Sequence, residues 1–228
     1  MKKIAVLTGA GISAESGIKT FRDSGGLWEE HRIEDVASPE GWKRDRDLVL
    51  NFYNQRRRQL LECKPNRAHF ALAELERKYD VTIITQNIDN LHELGGSTRV
   101  IHLHGELLKA RSTVNPDLIY IWEMDIKIGD NCEKGSQLRP HIVWFGEAVP
   151  MMEEAVPVVQ QADIFIVIGT SMVVYPAAGL INFCAYEIPK WLIDPNDMPL
   201  PRFPNLKFIN EKATIGVDYL VKQLMRDA

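Results

Sequence analysis

Six short apolar runs punctuate the chain, at positions 3–8, 81–85, 100–103, 163–169, 191–194 and 206–209. Most are rich in Ile and Val and stop at Gly, Thr, Asn or Asp. Runs of this length predict strands covered on both faces, as in a parallel sheet. Between them, apolar positions recur at helical spacing over 45–62, 66–78, 151–161, 176–186 and 214–225, with a shorter helical stretch at 88–94. Strand and helix in alternation predict an α/β fold, a doubly wound parallel six-stranded sheet with helices on both faces.

Two stretches break the alternation. Residues 22–78 offer no strand candidate, although a compact dinucleotide-binding unit places its second strand within roughly 30 residues of the first. Residues 107–140 are polar and irregular, with turn signals at Asn115-Pro116, Gly129-Asp130-Asn131 and Lys134-Gly135. Both are expected to be insertions that together build a small second domain from residues 31–79 and 107–141. Residues 1–30, 80–106 and 142–228 then form the main, Rossmann-like domain. Ligands of open α/β sheets bind beyond the carboxyl ends of the strands, so the insertions should wall the site.

Composition narrows the function classes. With 228 residues, 45% of them apolar, the chain can bury a sizeable core. A net charge of −4 argues against nucleic acid as the partner, because phosphate recognition needs clustered excess Lys and Arg. Arg56-Arg57-Arg58 is a local basic cluster, of which Arg57 and Arg58 read as a solvated helix face. Three scattered cysteines, Cys63, Cys132 and Cys184, lack C-x-x-C spacing and point to a reduced, cytoplasmic setting. The apolar stretch at 4–7 is too short for the roughly 7–15 residues of a signal-peptide core. No run approaches the roughly 18 apolar residues of a membrane span, so no membrane association is expected, and a monomer is the default.

Candidate chemistry gathers at the strand ends. The first run leads into Gly9-Ala10-Gly11-Ile12-Ser13-Ala14, a G-x-G-x-x-A pattern that allows a tight turn and close approach to a pyrophosphate at a helix start. No second strand follows to carry the acidic ribose ligand of a hydride-transfer dehydrogenase, so the cofactor should be held differently. Asn87 and Asp89 follow the second run, where N-capping would account for either alone but not for a Gln86-Asn87-x-Asp89 cluster. His104 stands just past the third run beside Gly105, which leaves room for a ligand, and an imidazole can accept a proton near neutral pH. His102, two residues back, shares its face in an extended segment. Residues 143–147 alternate like a strand that offers an edge to an extended peptide. Gly169-Thr170-Ser171 has small side chains suited to close cofactor approach, and Asp194-Pro195-Asn196 ends the next run with groups able to accept from a ribose.

In combination these segments resemble the sirtuins, the Sir2-like NAD-dependent protein deacylases. Residues 9–18, Thr20-Phe21-Arg22 and Gly25-Gly26-Leu27-Trp28 look like the sirtuin cofactor loop. Thr85-Gln86-Asn87-Ile88-Asp89, His104-Gly105, Val143-Trp144-Phe145-Gly146-Glu147 and Gly169-Thr170-Ser171 follow in the family's order, and the likeness spares only about residues 110–137. It implies that NAD is a consumed co-substrate. The acyl-lysine carbonyl oxygen attacks C1′ of the nicotinamide ribose, nicotinamide leaves, and a histidine base takes a ribose proton so that the 2′-oxygen attacks the imidate carbon. Water then releases free lysine and O-acyl-ADP-ribose.

The resemblance assigns the base to His104, the His directly before Gly, rather than to His102, and gives Asn87 and Asp89 catalytic roles beside it. It places the cofactor against Gly9, Ala10, Gly11, Ser13, Ala14, Glu15, Thr20, Phe21, Arg22 and Trp28. Phe21 would shield the reactive face from water, and Arg22 would lie near the phosphates or ribose. Gln86, Asn87, Ile88 and Asp89 would meet the nicotinamide ribose and carboxamide, and Gly169, Thr170, Ser171, Asp194, Asn196 and Ala213 the remainder of the dinucleotide. The family often has Asn-x-Glu where this chain has Asp194-Pro195-Asn196. An acylated-lysine peptide would lie along Val143, Phe145, Gly146 and Glu147, opposite Val174.

Tyr53 and Arg56, three residues apart on one helix face, offer a hydroxyl and a planar guanidinium fork for a carboxylate. The Tyr-x-x-Arg pair resembles the class III sirtuins, which remove succinyl, malonyl or glutaryl groups, sometimes alongside acetyl. Many sirtuins hold a structural zinc on two C-x-x-C pairs between the His-Gly and Phe-Gly-Glu motifs. Here that interval holds only Cys132 and, near its end, His141, too few for a tetrahedral site, so no zinc is expected. Leu118, Ile119, Ile121, Trp122 and Ile126 are expected to hold the segment instead. Two other functions stay open: an NAD glycohydrolase or mono-ADP-ribosyltransferase, in which Tyr53 and Arg56 would be idle, and an inactive NAD- or ADP-ribose-binding module, which need not keep His104 with Asn87 and Asp89.

Overall fold

Continuous Ile- and Val-rich runs favour extended backbone with both faces covered, and each of the six forms a strand. The computed structural model describes residues 1–19, 27–28, 31–197 and 203–227. The first half of the chain contains β1 (Lys3–Thr8), β2 (Leu27–Trp28), β3 (His31–Arg32), α1 (Ile33–Val36), α2 (Pro39–Arg44), α3 (Arg46–Glu62), α4 (Arg67–Leu75) and β4 (Asp80–Thr85). Next come α5 (Leu91–Leu94), β5 (Val100–His102), β6 (Gly105–Ser112), β7 (Ile119–Ile121) and β8 (Leu138–Ile142). The last third holds α6 (Met152–Gln160), β9 (Ile164–Ile168), β10 (Lys190–Ile193), β11 (Leu206–Ile209) and α7 (Ala213–Asp227).

The main sheet runs β11-β10-β9-β1-β4-β5, and all of its pairings are parallel. Successive side chains alternate faces along a strand. Ile4 and Val6 of β1 therefore pack with α4 and α7, while Ala5 and Leu7 pack with α6 and the segment Ala177–Phe183. From β1 the chain moves outward through β4 and β5, then returns to β9 on the other side of β1. This reversal is a topological switch point, where a crevice opens beyond the carboxyl ends of β1 and β9. Helix starts follow local chemistry: Asp45 accepts from the Leu48 amide at 2.9 Å to open α3, and Asn66 with His69 forms a reciprocal capping box at α4.

Several expectations are corrected. Residues 107–140 are not irregular throughout, because β6, β7 and β8 form an antiparallel sheet of order β7-β6-β8. Its pairing joins Ser112 to Leu138, a contact too distant in sequence for local pattern to reveal. The stretch 22–78 does contain strand, the two-residue pair β2–β3. Residues 176–186 form a 3₁₀ helix, Ala177–Phe183, rather than an α-helix. Residues 143–147 are not a strand. Gly146, at φ +89°, curls the chain, and the Glu147 carboxylate accepts from the Trp144 amide at 2.8 Å.

Both interruptions of the alternation contribute to a third apolar cluster, which includes Val49, Phe52 and Tyr53 of α3 with Leu107, Ile126, Leu138 and Trp144. Ile126 is buried there, with Leu118 and Trp122 packed at its edge. Ile119 and Ile121, expected inside, are 44% and 80% exposed, because alternate positions of β7 face away from the cluster.

The Arg56-Arg57-Arg58 run divides three ways. Arg58 is exposed and pairs with Asp125. Arg57, expected in solvent, is fully buried. Its Nε donates to the Leu107 carbonyl at 3.1 Å and its Nη1 to Asn54 Oδ1 at 2.7 Å, and burial pushes its pKa down to about 10. Asn54 in turn exchanges two hydrogen bonds with the Ile126 backbone, at 2.8 and 2.9 Å. This clasp ties α3 to residues 107–126. Asn54→Ala strips a buried cation of a partner and orphans two backbone groups, so it should cost about 2–4 kcal/mol. Urea denaturation measures it, and a wild-type midpoint would refute the clasp.

Candidate active site

The site begins where β1 ends. The Gly9 amide donates to the Ile168 carbonyl at 3.0 Å and the Gly11 amide to the Gly169 carbonyl at 2.9 Å, lacing the glycine turn onto the end of β9. Gly169 takes φ +60°, and a Cβ there would fall 2.5 Å from the Ile12 nitrogen. Its smallness is thus required by the neighbouring turn, while the residue also lines the cavity. The helix start expected after the turn is a short 3₁₀ one, not an α-helix. Ala10–Ile12 and Ala14–Ser16 form two 3₁₀ turns, and the Ile12 and Ser13 amides bond to the Gly9 and Ala10 carbonyls.

The turn delivers Ser13 to the loop beyond β4. Ser13 Oγ donates to Asp89 Oδ2 at 3.0 Å and accepts from Asn87 Nδ2 at 3.1 Å. Asp89 Oδ1 accepts from the Leu91 amide at 3.1 Å, so a capping contact coexists with the cluster. Burial pushes the Asp89 carboxyl up, against the lowering effect of its Leu91 and Ser13 hydrogen bonds and of His102. Gln86 Nε2 donates to Thr170 Oγ1 at 3.1 Å, joining this loop to the end of β9.

His104 Nδ1 lies 3.0 Å from the Gln86 carbonyl. A carbonyl only accepts, so Nδ1 carries the proton and Nε2 keeps its lone pair. Burial lowers the His104 pKa below 6.5, partly offset by that hydrogen bond. Gly105 takes φ +83°, and a Cβ there would collide with the His141 carbonyl, so it makes room for β8 rather than for a ligand. His102 turns to Glu93, 2.7 Å from its Nε2.

Tyr53 is fully buried, and its hydroxyl oxygen accepts from Trp144 Nε1 at 3.1 Å. Burial drives its pKa well above the usual phenol value. Arg56, 8% exposed, lies with its guanidinium carbon 3.3 Å over the Phe52 ring and donates from Nη1 to the Phe52 carbonyl at 2.6 Å. The Glu147 carboxylate accepts from Arg139 Nη1 at 2.7 Å and from Arg111 Nη2 at 3.2 Å. Burial opposes its charge, but Arg139 outweighs that and holds its pKa down. At the far end, Glu15 accepts from the Thr214 amide and hydroxyl at 3.1 and 3.0 Å, and Asp194 accepts from Asn196.

These groups wall a cavity of about 680 Å³. The glycine turn, Ala14 and Glu15, residues 86–89, His104, Tyr53 and Arg56 all reach it. So do residues 143–147, Gly169, Thr170, Ser171, Val174, Asp194, Asn196 and Ala213. Ser13 is buried behind the wall. Thr20, Phe21 and Arg22 lie outside the described residues, and Trp28 is described only as part of β2. Gln59 and Leu60 also line the cavity, a position that helical spacing from Arg56 could have revealed. Leu107 and Lys212 arrive by tertiary placement alone.

A model of the Sir2 family matches residues 9–176. The chain belongs to the Sir2 family. An NAD-dependent protein deacylase of Helicobacter pylori (strain ATCC 700392 / 26695) is 55% identical over 228 residues, covering 100% of both chains. A solved Sir2 homologue in complex with NAD is 40% identical, with a TM-score of 0.88 over 99% of this chain and 90% of that one. A Sir2 structure with a deacetylated peptide and 3′-O-acetyl-ADP-ribose is 30% identical, with a TM-score of 0.79 over 99% and 93%. In this sirtuin, Ser13→Ala should remove a donor to Asp89 and an acceptor for Asn87. The Asp89 carboxyl should titrate higher still, and stability at neutral pH should fall by about 1–2 kcal/mol in thermal unfolding. An unchanged melting temperature would mean that Ser13 does not organise the loop.

Proposed function

We propose that this chain is an NAD-dependent protein-lysine deacylase whose acyl pocket favours groups ending in a carboxylate, succinyl and malonyl ahead of acetyl. The observation that carries the reading is the meeting of Tyr53, Arg56, His104 and the glycine turn around one cavity. Its volume, about 680 Å³, suits a small-molecule ligand, for which roughly 300–1,000 Å³ is usual. The polar groups of Gln86, Asn87, Asp89, Thr170, Asp194 and Asn196 along its walls fit a dinucleotide with two riboses. NAD bound there would supply an electrophilic ribose carbon and a nicotinamide leaving group.

The chain's residues would divide the remaining tasks. Asn87 and Asp89, fixed by Ser13, would hold the nicotinamide ribose, while Ala10, Gly11 and Ser171 would lie along the rest of the dinucleotide. His104, with Nδ1–H committed to Gln86, would accept the ribose proton at Nε2. Arg56 would grip the acyl carboxylate with Tyr53 beside it, an arrangement that a neutral acetyl group cannot use. Val143, Phe145 and Val174 would border the peptide. Glu147, held by Arg139 and Arg111, would shape that border rather than touch the substrate. We also read residues 107–141 as held without zinc, a reading supported by the Cys132 thiol engaging Ser136 Oγ at 3.1 Å and by the Asn54 hydrogen bonds to the Ile126 backbone.

The test is mass spectrometry of succinyl- and acetyl-lysine peptides with and without NAD. Succinyl removal should depend on NAD and vanish in His104→Ala. Arg56→Met should cut desuccinylation by about 100-fold, the loss of a charge-assisted pair worth roughly 2–3 kcal/mol, and deacetylation far less. Equal losses on both peptides would remove the carboxylate assignment, and nicotinamide release without any peptide would favour an NAD glycohydrolase. The lowered His104 pKa leaves the ring neutral into mild acid, so the acid limb of kcat/KM should fall below pH 6.5. A limb above that value would contradict a buried neutral base.

A further inference from the structure

His102 closes β5, in register with Thr85 at the end of β4, so it stands beside the point where residues 86–89 leave the sheet. It is 8% exposed and does not line the cavity. Its Nε2 lies 2.7 Å from Glu93 Oε1, and its Nδ1 lies 3.3 Å from the Asn87 carbonyl oxygen. The carbonyl oxygen only accepts, and so does the ionised Glu93 carboxylate. A neutral imidazole has a single N–H and can serve one of them, whereas an imidazolium serves both.

We propose that His102, as an imidazolium bridging Glu93 and the Asn87 carbonyl, is a positioning residue that holds residues 87–89 in the geometry that receives NAD. The proposal rests on the deacylase reading for its ligand, and on hydrogen-bond geometry for the rest. Two successive carbonyls of one loop, Gln86 and Asn87, are gripped by two histidines from one chain segment, His104 and His102. Their requirements are opposite. His104 must stay neutral to act as a base, and His102 must stay charged to hold the loop.

The charged groups around His102 favour that division. Glu93 on α5 and Glu106 on β6 face it with negative charge, the latter paired with Lys109, the cation on this side, and the Asp89 carboxyl, itself pushed up by burial, lies in the loop. His92, also on α5, is fully buried and has its pKa pushed far down by burial, so it adds no competing cation near neutral pH. Burial of His102 itself works against its charge, but the Glu93 hydrogen bond and charge outweigh this and raise its pKa above 6.5. With a raised folded-state pKa, the hold is complete in mild acid and is lost as pH rises through that value. Deacylation should therefore have an alkaline limb set by His102 as well as an acid limb set by His104.

The experiment is an NMR titration of the six imidazoles in the wild-type chain, with His102 assigned from His102→Gln. His102 should titrate above 6.5, and a value below it would overturn the proposal. In a second arm, NAD affinity is measured by calorimetry for wild type and Glu93→Gln. Across a pH series, wild-type affinity should fall as pH rises through the His102 titration seen in the first arm, and in the variant, where burial is no longer outweighed, that fall should move to lower pH. A wild-type affinity that does not follow the His102 titration, or a pH profile that Glu93→Gln leaves in place, would assign Glu93 and His102 a merely structural role. Neither readout requires turnover, so failure of the deacylase reading would be seen separately, as NAD binding without acyl transfer.

Discussion

Two backbone hydrogen bonds, from the Gly9 and Gly11 amides to the end of β9, fix the relation on which the rest of the site depends. They span the switch point of the sheet, where strands that diverge in sequence are neighbours in space. Because the turn is laced there, Ser13 lies against Asn87 and Asp89, and the loop after β4 meets Thr170 at the end of β9. Gly169 at φ +60° is the concession this demands, since no side chain could fit between the two backbones. A glycine that lines the cavity thus also serves a contact between two strand ends.

Away from the sheet, buried charge organises the structure. Arg57 and Asn54 join α3 to residues 107–126, and Glu147 gathers Arg139, Arg111 and the Trp144 amide into the turn that borders the cavity. Arg139 also lies 3.3 Å over the Trp144 ring, whose Nε1–H meets Tyr53. Removing charges from water is costly unless each finds partners, so such clusters tolerate few alternative arrangements. The cavity wall thus inherits part of its geometry from Asn54, Arg57, Arg111 and Arg139, which do not line it.

The histidines show the same dependence on partners. His104 and His102 lie two residues apart and would look interchangeable in an extended segment. One ring faces a single carbonyl and the other a carbonyl and a carboxylate, and their pKa values move in opposite directions. Electrostatic surroundings, not residue type, set which of two such rings is pushed toward its neutral form and which toward its charged form.

Local pattern was enough to locate the six strands, because a run such as residues 163–169 carries its burial in its own composition. It also marked the Gly9 turn and residues 86–89 as candidates, while His104, Tyr53 and Arg56 were singled out only with the family resemblance beside it, and the structure brings all of them to one cavity. Tertiary structure alone decided that Arg57 is buried while Arg58 is solvated, that Ile119 and Ile121 face outward, and that β6 pairs with β8 across a long loop. It also decided that residues 143–147 turn under the pull of Glu147. The division has a physical cause. Period and composition report what one segment prefers, whereas the worth of a buried charge, a strand edge or a glycine is set by the atoms that another segment brings to it.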